Sequence, residues 1–172
     1  VFVSVVSFAV AAGALAWLIL QITESRLAAF AGAAVFAFNP NVLYLQATPM
    51  TEPLLIGLTT LAVAMLTDWM RRREFTSGRA AVGIVFALAC LTRHEAWPVT
   101  VSALTLGTLA LGRAGDTWRT ALRRLWPIAA FPAAAIVAFG IFSRVVIGEW
   151  FVAGGFFVPE NTALGHPFES LA

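Results

Sequence analysis

The sequence of 172 residues is 60% hydrophobic and only 12% charged, with 11 basic residues, 9 acidic residues and a formal net charge of +2. Soluble domains are about 45–50% apolar and about 25% charged. The composition therefore excludes a water-soluble globule, and it is too apolar for a disordered or fibrous chain. A transmembrane helix needs about 20 mostly apolar residues, which leaves room for about six of them. The sequence predicts an all-α fold, a polytopic bundle of transmembrane helices.

The first half of the chain predicts three apolar passes separated by short polar breaks. An uncharged run covers Val1–Leu20. A second run, Leu27–Phe38, is kinked or ended at Asn39-Pro40, because proline lacks an N–H and clashes with the preceding turn. After the turn Ala47–Glu52, the third pass is expected over Pro53–Met70, since a proline in the first helical turn loses no hydrogen bond.

The second half predicts three further passes and an amphipathic helix. Two shorter helices are expected over Ala80–Thr92 and Pro98–Leu111. Arg113–Leu125 carries tryptophan and leucine on one face and arginine on the other, a pattern typical of a helix that lies in the membrane interface. Pro127–Ile147 is expected to be the last span. Residues 1–172 thus form a single transmembrane domain of about six spans with one amphipathic interfacial helix.

The positions of the basic residues, all of them arginine, predict the topology. Alternating loops place most of them on one side: Arg26, Arg71, Arg72, Arg73, Arg79, Arg113, Arg119, Arg123 and Arg124. By the positive-inside rule this side is cytoplasmic. The acidic residues are spread over both sides, with Glu52 and Glu95 on the outer one. The arginines are therefore interpreted as a topology signal, and no nucleic-acid partner is expected.

Two polar turns on the predicted outer side are the candidates for chemistry. Residues 39–53 surround Glu52 with hydrogen-bonding side chains, and residues 91–98 bring together a cation, Arg93, an imidazole, His94, and a carboxylate, Glu95. Both turns lead into helix N-termini, whose free N–H groups and positive dipole suit an anion such as phosphate. Arg93 could clamp phosphate oxygens, and Glu52 could bind a divalent ion, orient a hydroxyl or accept its proton.

Each of these residues also has a purely structural interpretation. Glu52 could be a helix cap with favourable dipole placement, and Arg93 and Glu95 could form an interfacial salt bridge. His94 could be a hydrated interfacial side chain, and the aromatic residues could belong to an ordinary interfacial belt: Tyr44, Trp97 and Trp150. The presence of both polar turns on one side favours the functional interpretation.

The two turns resemble those of a known family. Asn39-Pro40 with Thr48–Pro53, followed by Leu91–Trp97, resembles bacterial GT-C-type glycosyltransferases of the PMT-like group. Their relatives are the protein O-mannosyltransferases, lipid A aminoarabinose transferases and lipopolysaccharide-core sugar transferases. Ile147–Phe151 is similar to the beginning of that family's later outer loop, with Glu149 where aspartate is commoner.

The resemblance implies a cell-envelope enzyme, integral to the bacterial plasma membrane with its active site facing outward. It would move a sugar from a polyprenyl-phosphate donor to an acceptor, with membrane lipids as its other partners. Glu52 would assist catalysis and is the candidate ligand for a divalent metal ion, the one cofactor considered. Arg93 would hold the donor phosphate. Further substrate-binding residues would be His94, Glu95, Tyr44, Gln46 and Thr51.

The family's fold begins with a helix and a long outer loop that bears its main acidic residue, and no part of this sequence matches that loop. We therefore expect the chain to be an internal fragment of a longer protein and to be inactive alone.

Two other functions are considered: a transporter or flippase of a lipid-linked anion, and a non-catalytic membrane subunit. Transport would favour polar residues at the midplane or paired broken helices, whereas the span interiors carry only small hydroxyls. A packing subunit has no need of Arg93 and carboxylates at one outer surface.

Overall fold

The computed structural model describes residues 1–48, 50–72, 78–146, 148 and 150, and all regular structure among them is α-helical. The prediction of an all-α chain is confirmed. The helices in chain order are α1 (Phe2–Thr23), α2 (Arg26–Ala37), α3 (Pro40–Ala47), α4 (Glu52–Arg72), α5 (Arg79–Thr92), α6 (Ala96–Arg113) and α7 (Trp118–Val146). The chain divides into two compact units, Val1–Ile136 and Val137–Ala172.

Three of these helices, α1, α4 and α7, are long and apolar enough to cross a membrane, and the pair α2 and α3 is a fourth candidate, bent by 60°. Helix α5 has 14 residues, which is about 21 Å at 1.5 Å per residue and short of a hydrocarbon core of about 30 Å. Helix α6 has 18 residues, but its threonines and Arg113 dilute its hydropathy. The prediction of six spans is not confirmed, because the described residues supply three or four.

The predicted amphipathic helix over Arg113–Leu125 is wrong as a separate element. Helix α6 ends at Arg113, and after a short turn α7 runs without a break through Pro127 and Pro132. The predicted last span, Pro127–Ile147, is therefore the second part of a longer helix. The prediction gave Pro127 too much weight, because an interior proline removes one backbone hydrogen bond and can kink a helix without ending it. Membrane helices tolerate such prolines where neighbouring groups satisfy the freed carbonyl.

The helix starts follow the local sequence closely. The Asn39 side chain caps the start of α3, and the bend between α2 and α3 confirms the break predicted at Asn39-Pro40. Pro53 lies in the first turn of α4, as predicted. Helix α6 begins at Ala96, two residues before the predicted start at Pro98. Both prolines thus occupy first turns, where no intrahelical N–H is needed.

Helix α4 is central and packs against α1, α3, α5 and α6. Helix α1 runs parallel to it: the Ser4 hydroxyl donates to the carbonyl of Thr48 at 2.9 Å near the start of α4, and the Gln21 amide donates to the carbonyl of Ala64 at 3.2 Å further along. We call the two ends of this bundle the Glu52 end and the Arg71 end, after residues near the start and the finish of α4. The finish of α5 and the start of α6 lie at the Glu52 end, because Arg93, between these two helices, is bonded to Glu52.

The core of the first unit joins α4 to α7. Its larger apolar cluster contains Phe86 and Ile128, both fully buried. A smaller cluster, Ala89, Cys90 and Ala96, lies nearer the Glu52 end, where Trp97 packs against it. These clusters fix the finish of α5 and the start of α6 against α4, and so they position the turn between α5 and α6.

The Arg71 end is rich in ion pairs. Arg71 bonds to Glu24 at 3.0 Å and Arg72 to Asp68 at 2.7 Å, and Arg124 pairs with Asp116. The described arginines that the sequence assigned to one side all lie near helix ends that meet here, whereas Arg73 lies outside the described residues. In the second unit, Arg144 donates to the carbonyl of Gly148 and its guanidinium carbon lies 5.9 Å from the centroid of the Trp150 ring.

Candidate functional site

The two polar turns that the sequence singles out meet at the Glu52 end. One turn leads into α4 and carries Thr51 and Glu52, and the other joins α5 to α6 and carries Arg93 and Glu95. Although Glu52 and Arg93 are 41 residues apart in the chain, their side chains are directly bonded. We call these four residues, Thr51, Glu52, Arg93 and Glu95, the Arg93 cluster.

Arg93 holds Glu95 with a two-pronged contact. Its Nε donates to Glu95 Oε2 at 3.1 Å, and its Nη2 donates to Glu95 Oε1 at 2.8 Å. Parallel N–H···O bonds of this kind are the strongest arrangement available to an arginine and a carboxylate, and they fix the plane of the guanidinium. Within the turn, Glu95 therefore orients Arg93.

The other edge of the guanidinium reaches across to α4. Nη1 donates to a carboxylate oxygen of Glu52 and to the hydroxyl of Thr51 at 3.4 Å. Together with the contacts to Glu95, these bonds use four of the five N–H donors that an arginine possesses. Arg93 thus links the start of α4 to the turn between α5 and α6.

The electrostatics of the cluster are dominated by two carboxylates around one cation, which gives it a formal charge of −1. The hydrogen bonds from Arg93 lower the pKa of the Glu95 carboxyl. In turn, the hydrogen bonds that Arg93 donates to the Glu95 carboxylate, and then to that of Glu52, raise the pKa of Arg93, which stays charged. One third of the Arg93 side chain, 33%, is exposed, so the guanidinium remains accessible to a solute.

The start of α6, beside Arg93, has fewer free backbone N–H groups than the sequence predicts. The N–H groups of Ala96 and Trp97, at the start of α6, donate to the carbonyls of Arg93 and His94 at 3.1 Å and 3.0 Å. They are therefore not free for an anion, which corrects the expectation of unsatisfied N–H groups there. The capacity of this end of α6 to bind an anion depends on the Arg93 side chain.

The rings of His94 and Trp97 lie against each other at the turn between α5 and α6. Their rings meet edge to face, with centroids 4.9 Å apart at 62°. The Trp97 indole donates to the carbonyl of Cys90 at 3.0 Å, near the finish of α5. Trp97 was interpreted from the sequence as a belt aromatic, and its structural role was missed. The only available signal was its place in the first turn of a helix that directly follows the polar residues.

Two of the described residues that were predicted to bind substrate are not bonded to the cluster. Tyr44 and Gln46 belong to α3, and Tyr44 is 63% exposed. Within the described part of the chain, neither side chain has a hydrogen bond to Arg93 or to Glu52. Glu149, which carries the resemblance to a later outer loop, lies outside the described residues.

The described donors do not fit a divalent metal site. Among the residues that the structure places, no group of three His, Cys, Asp or Glu side chains could hold an ion. The carboxylates of Glu52 and Glu95 are joined by the Arg93 guanidinium, which occupies the position of a bridging cation. We therefore derive no step through a metal at Glu52.

Comparison with known proteins adds no relative to this picture. No protein-family model, curated protein or solved structure matches the chain. The Arg93 cluster and the helices that position it are therefore the features that bear on function.

Proposed function

We propose that the chain acts as a membrane glycosyltransferase, which moves a sugar from a polyprenyl-phosphate donor to an acceptor, and that Arg93 binds the donor phosphate. The observation that carries the proposal is the Arg93 cluster, an oriented and partly exposed guanidinium at the end of apolar helices. A polyprenyl phosphate has the matching parts, a long apolar tail and an anionic group. The tail would lie along helix surfaces while the phosphate reaches the Glu52 end.

Phosphate binding requires a rearrangement within the cluster. As described, the cluster carries a formal charge of −1 and repels an anion, because Glu52 and Glu95 together outweigh Arg93. Glu95 is held by two bonds from the turn itself, whereas Glu52 belongs to a different helix and is held through Nη1 alone. The donor phosphate would therefore displace Glu52 from Nη1 and keep the Glu95 contact.

This exchange suggests a division of roles during transfer. The bond between the sugar's anomeric carbon and the phosphate oxygen breaks, the acceptor oxygen forms a new bond to that carbon, and the acceptor's proton passes to a base. Negative charge grows on the departing phosphate, and Arg93 stabilises it there. Glu52, once released, is free to orient the acceptor hydroxyl as an assisting group. In the same proposal, the active site lies on the outer surface of a bacterial plasma membrane.

The experiment measures binding of polyprenyl phosphate without a sugar, and transfer of sugar from the complete donor, in the full-length protein. Arg93→Gln should lower the affinity for polyprenyl phosphate about 10- to 100-fold, the worth of hydrogen bonds to a charged group at ~1.5–3 kcal/mol. The matched control is Arg26→Gln, an exposed arginine at the Arg71 end, which should bind as the natural protein does. Unchanged affinity and transfer in Arg93→Gln would remove Arg93 from the donor site.

One observation favours a second function, transport of a lipid-linked anion. The pair α2 and α3, bent by 60°, has the length and composition of a broken span or a re-entrant loop, and transporters build their sites from broken helices. They do so in paired halves, whereas this is the one bent pair within the described residues. Reconstituted protein that moves a labelled polyprenyl phosphate across vesicles, without transferring sugar, would favour transport over transfer.

A further inference from the structure

A second feature, unrelated to the Arg93 cluster, lies on the surface of the first unit towards the Arg71 end. Side chains of α6 and α7 line an open groove of about 690 Å³, within the range of about 300–1,000 Å³ that ligand sites occupy. Its walls are almost entirely apolar, and a single arginine, Arg123, is among its lining residues. We call it the α6–α7 groove.

The rim of the groove formed by α7 exposes large apolar side chains. Trp118 is 57% exposed and Trp126 is 70% exposed, with Leu122 between them on the same face of α7. Tryptophan is enriched where a membrane meets water, because its ring is apolar and its N–H is polar. The rim is therefore suited to the boundary between lipid tails and headgroups.

The start of α7 carries positively charged side chains, which the helix dipole disfavours at that end. Arg119, Arg123 and Arg124 fall in its first two turns, and the first turn contains no acidic residue. Cations at a helix N-terminus are unfavourable, because the helix dipole is positive there. Arg124 is offset by its pair with Asp116, but among the described residues neither Arg119 nor Arg123 has an ion-pair partner. The dipole disfavours Arg119 in the first turn, and Arg123, one turn later, gains no ion pair from the described residues, so local helix stability does not account for either charge.

We propose that the α6–α7 groove binds an anionic phospholipid. An acyl chain would lie along the apolar walls between α6 and α7, and the headgroup phosphate would accept hydrogen bonds from Arg119 and Arg123, which are four residues apart on one side of α7. Charge complementarity selects this occupant, because Arg123 lines an apolar groove whose tryptophans suit the headgroup boundary, and Arg119 lies one helical turn before it. Neither arginine has an ion-pair partner among the described residues. Basic pockets beside transmembrane helices bind anionic lipid headgroups in this way.

The test titrates the purified full chain in detergent with phosphatidylglycerol and with phosphatidylcholine of the same acyl chains, and counts bound lipid by native mass spectrometry. The natural protein should bind phosphatidylglycerol more tightly. The double variant Arg119→Gln/Arg123→Gln should lose about 30-fold in affinity for phosphatidylglycerol, about fivefold for each arginine, while its phosphatidylcholine binding stays the same. Thr105→Trp, which fills the groove from an exposed position on α6, should weaken binding of both lipids.

The control is Arg26→Gln/Arg79→Gln, two arginines at the Arg71 end that do not line the groove. This variant should bind both lipids as the natural protein does, and circular dichroism should show full helicity in every variant. Equal affinity of the natural protein for the two lipids would overturn the proposal. So would an equal loss of phosphatidylglycerol in the control, because general attraction to a basic surface would then account for the binding. Sugar transfer is not part of the readout, so the outcome is independent of the function proposed above.

Discussion

Helices α1 and α4 approach each other closely at Gly57, and adding a single methyl group there tests the parallel packing of these helices. A Cβ at Gly57 would lie 2.8 Å from the carbonyl oxygen of Ser7. That oxygen belongs to the backbone of α1, so no side chain can rotate away, and the whole helix must shift. Small residues permit such close backbone contact between membrane helices.

The magnitude follows from a comparison with a second glycine. Gly13 lies on α1, where an added Cβ meets nothing within 4 Å. Replacing either glycine by alanine gains helix propensity of about 1 kcal/mol, so this gain cancels between the two variants. Overpacking at Gly57 costs about 1–3 kcal/mol. The free energy of unfolding should therefore be about 1–3 kcal/mol lower for Gly57→Ala than for Gly13→Ala.

The assay is equilibrium unfolding in mixed micelles, with an increasing mole fraction of a denaturing detergent, followed by tryptophan fluorescence and far-ultraviolet circular dichroism. Gly13→Ala should be as stable as the natural protein or slightly more stable. A Gly57→Ala variant that matches or exceeds Gly13→Ala would refute the close parallel contact of α1 and α4.

Two further predictions concern the turn between α5 and α6. The lowered pKa of Glu95 means that its stabilising contribution is complete above the ordinary carboxyl pKa of about 4.3 and is lost as the pH falls through the lowered value. As the pH falls below that ordinary value, Glu95→Gln should therefore lose less stability than the natural protein, as measured by the unfolding midpoint against pH. Trp97→Phe keeps an aromatic side chain but removes the indole N–H that donates to the carbonyl of Cys90. The free energy of unfolding should fall by about 0.5–1.5 kcal/mol. An unchanged value would show that this bond does not stabilise the turn.

The helices themselves could be predicted from the sequence because apolar runs and prolines act locally. The break at Asn39-Pro40 and the first-turn placement of Pro53 follow from backbone chemistry alone. The number of spans could not be predicted in this way, since it depends on helix length. Helix α5 is too short, and the helix that was divided at Pro127 continues through that residue. Whether an interior proline ends a helix depends on neighbouring groups that a local pattern does not reveal.

Part of the candidate site could also be predicted. Alternating passes bring the turns before α4 and α6 to the same end, and the contact between Glu52 and Arg93 agrees with this. The salt bridge between Arg93 and Glu95, one of the structural interpretations of the sequence, is present. What the sequence could not predict is that Arg93 is also bonded to Glu52, because the register of α4 against α5 decides which side chains meet. For the same reason it could not show that Tyr44 is exposed on α3 and that, among the described residues, it has no hydrogen bond to Arg93.

The central claim is that the donor phosphate competes with Glu52 for Arg93, and binding of polyprenyl phosphate to Glu52→Gln in the full-length protein tests it most directly. Removing the competing charge of a partly exposed ion pair, worth about 0.5–1 kcal/mol, should tighten binding roughly twofold to fivefold, while transfer of sugar from the complete donor becomes slower. Arg93→Gln should weaken binding under the same conditions. If Glu52→Gln binds polyprenyl phosphate no more tightly than the natural protein does, Glu52 does not compete for Arg93, and the proposed exchange is contradicted.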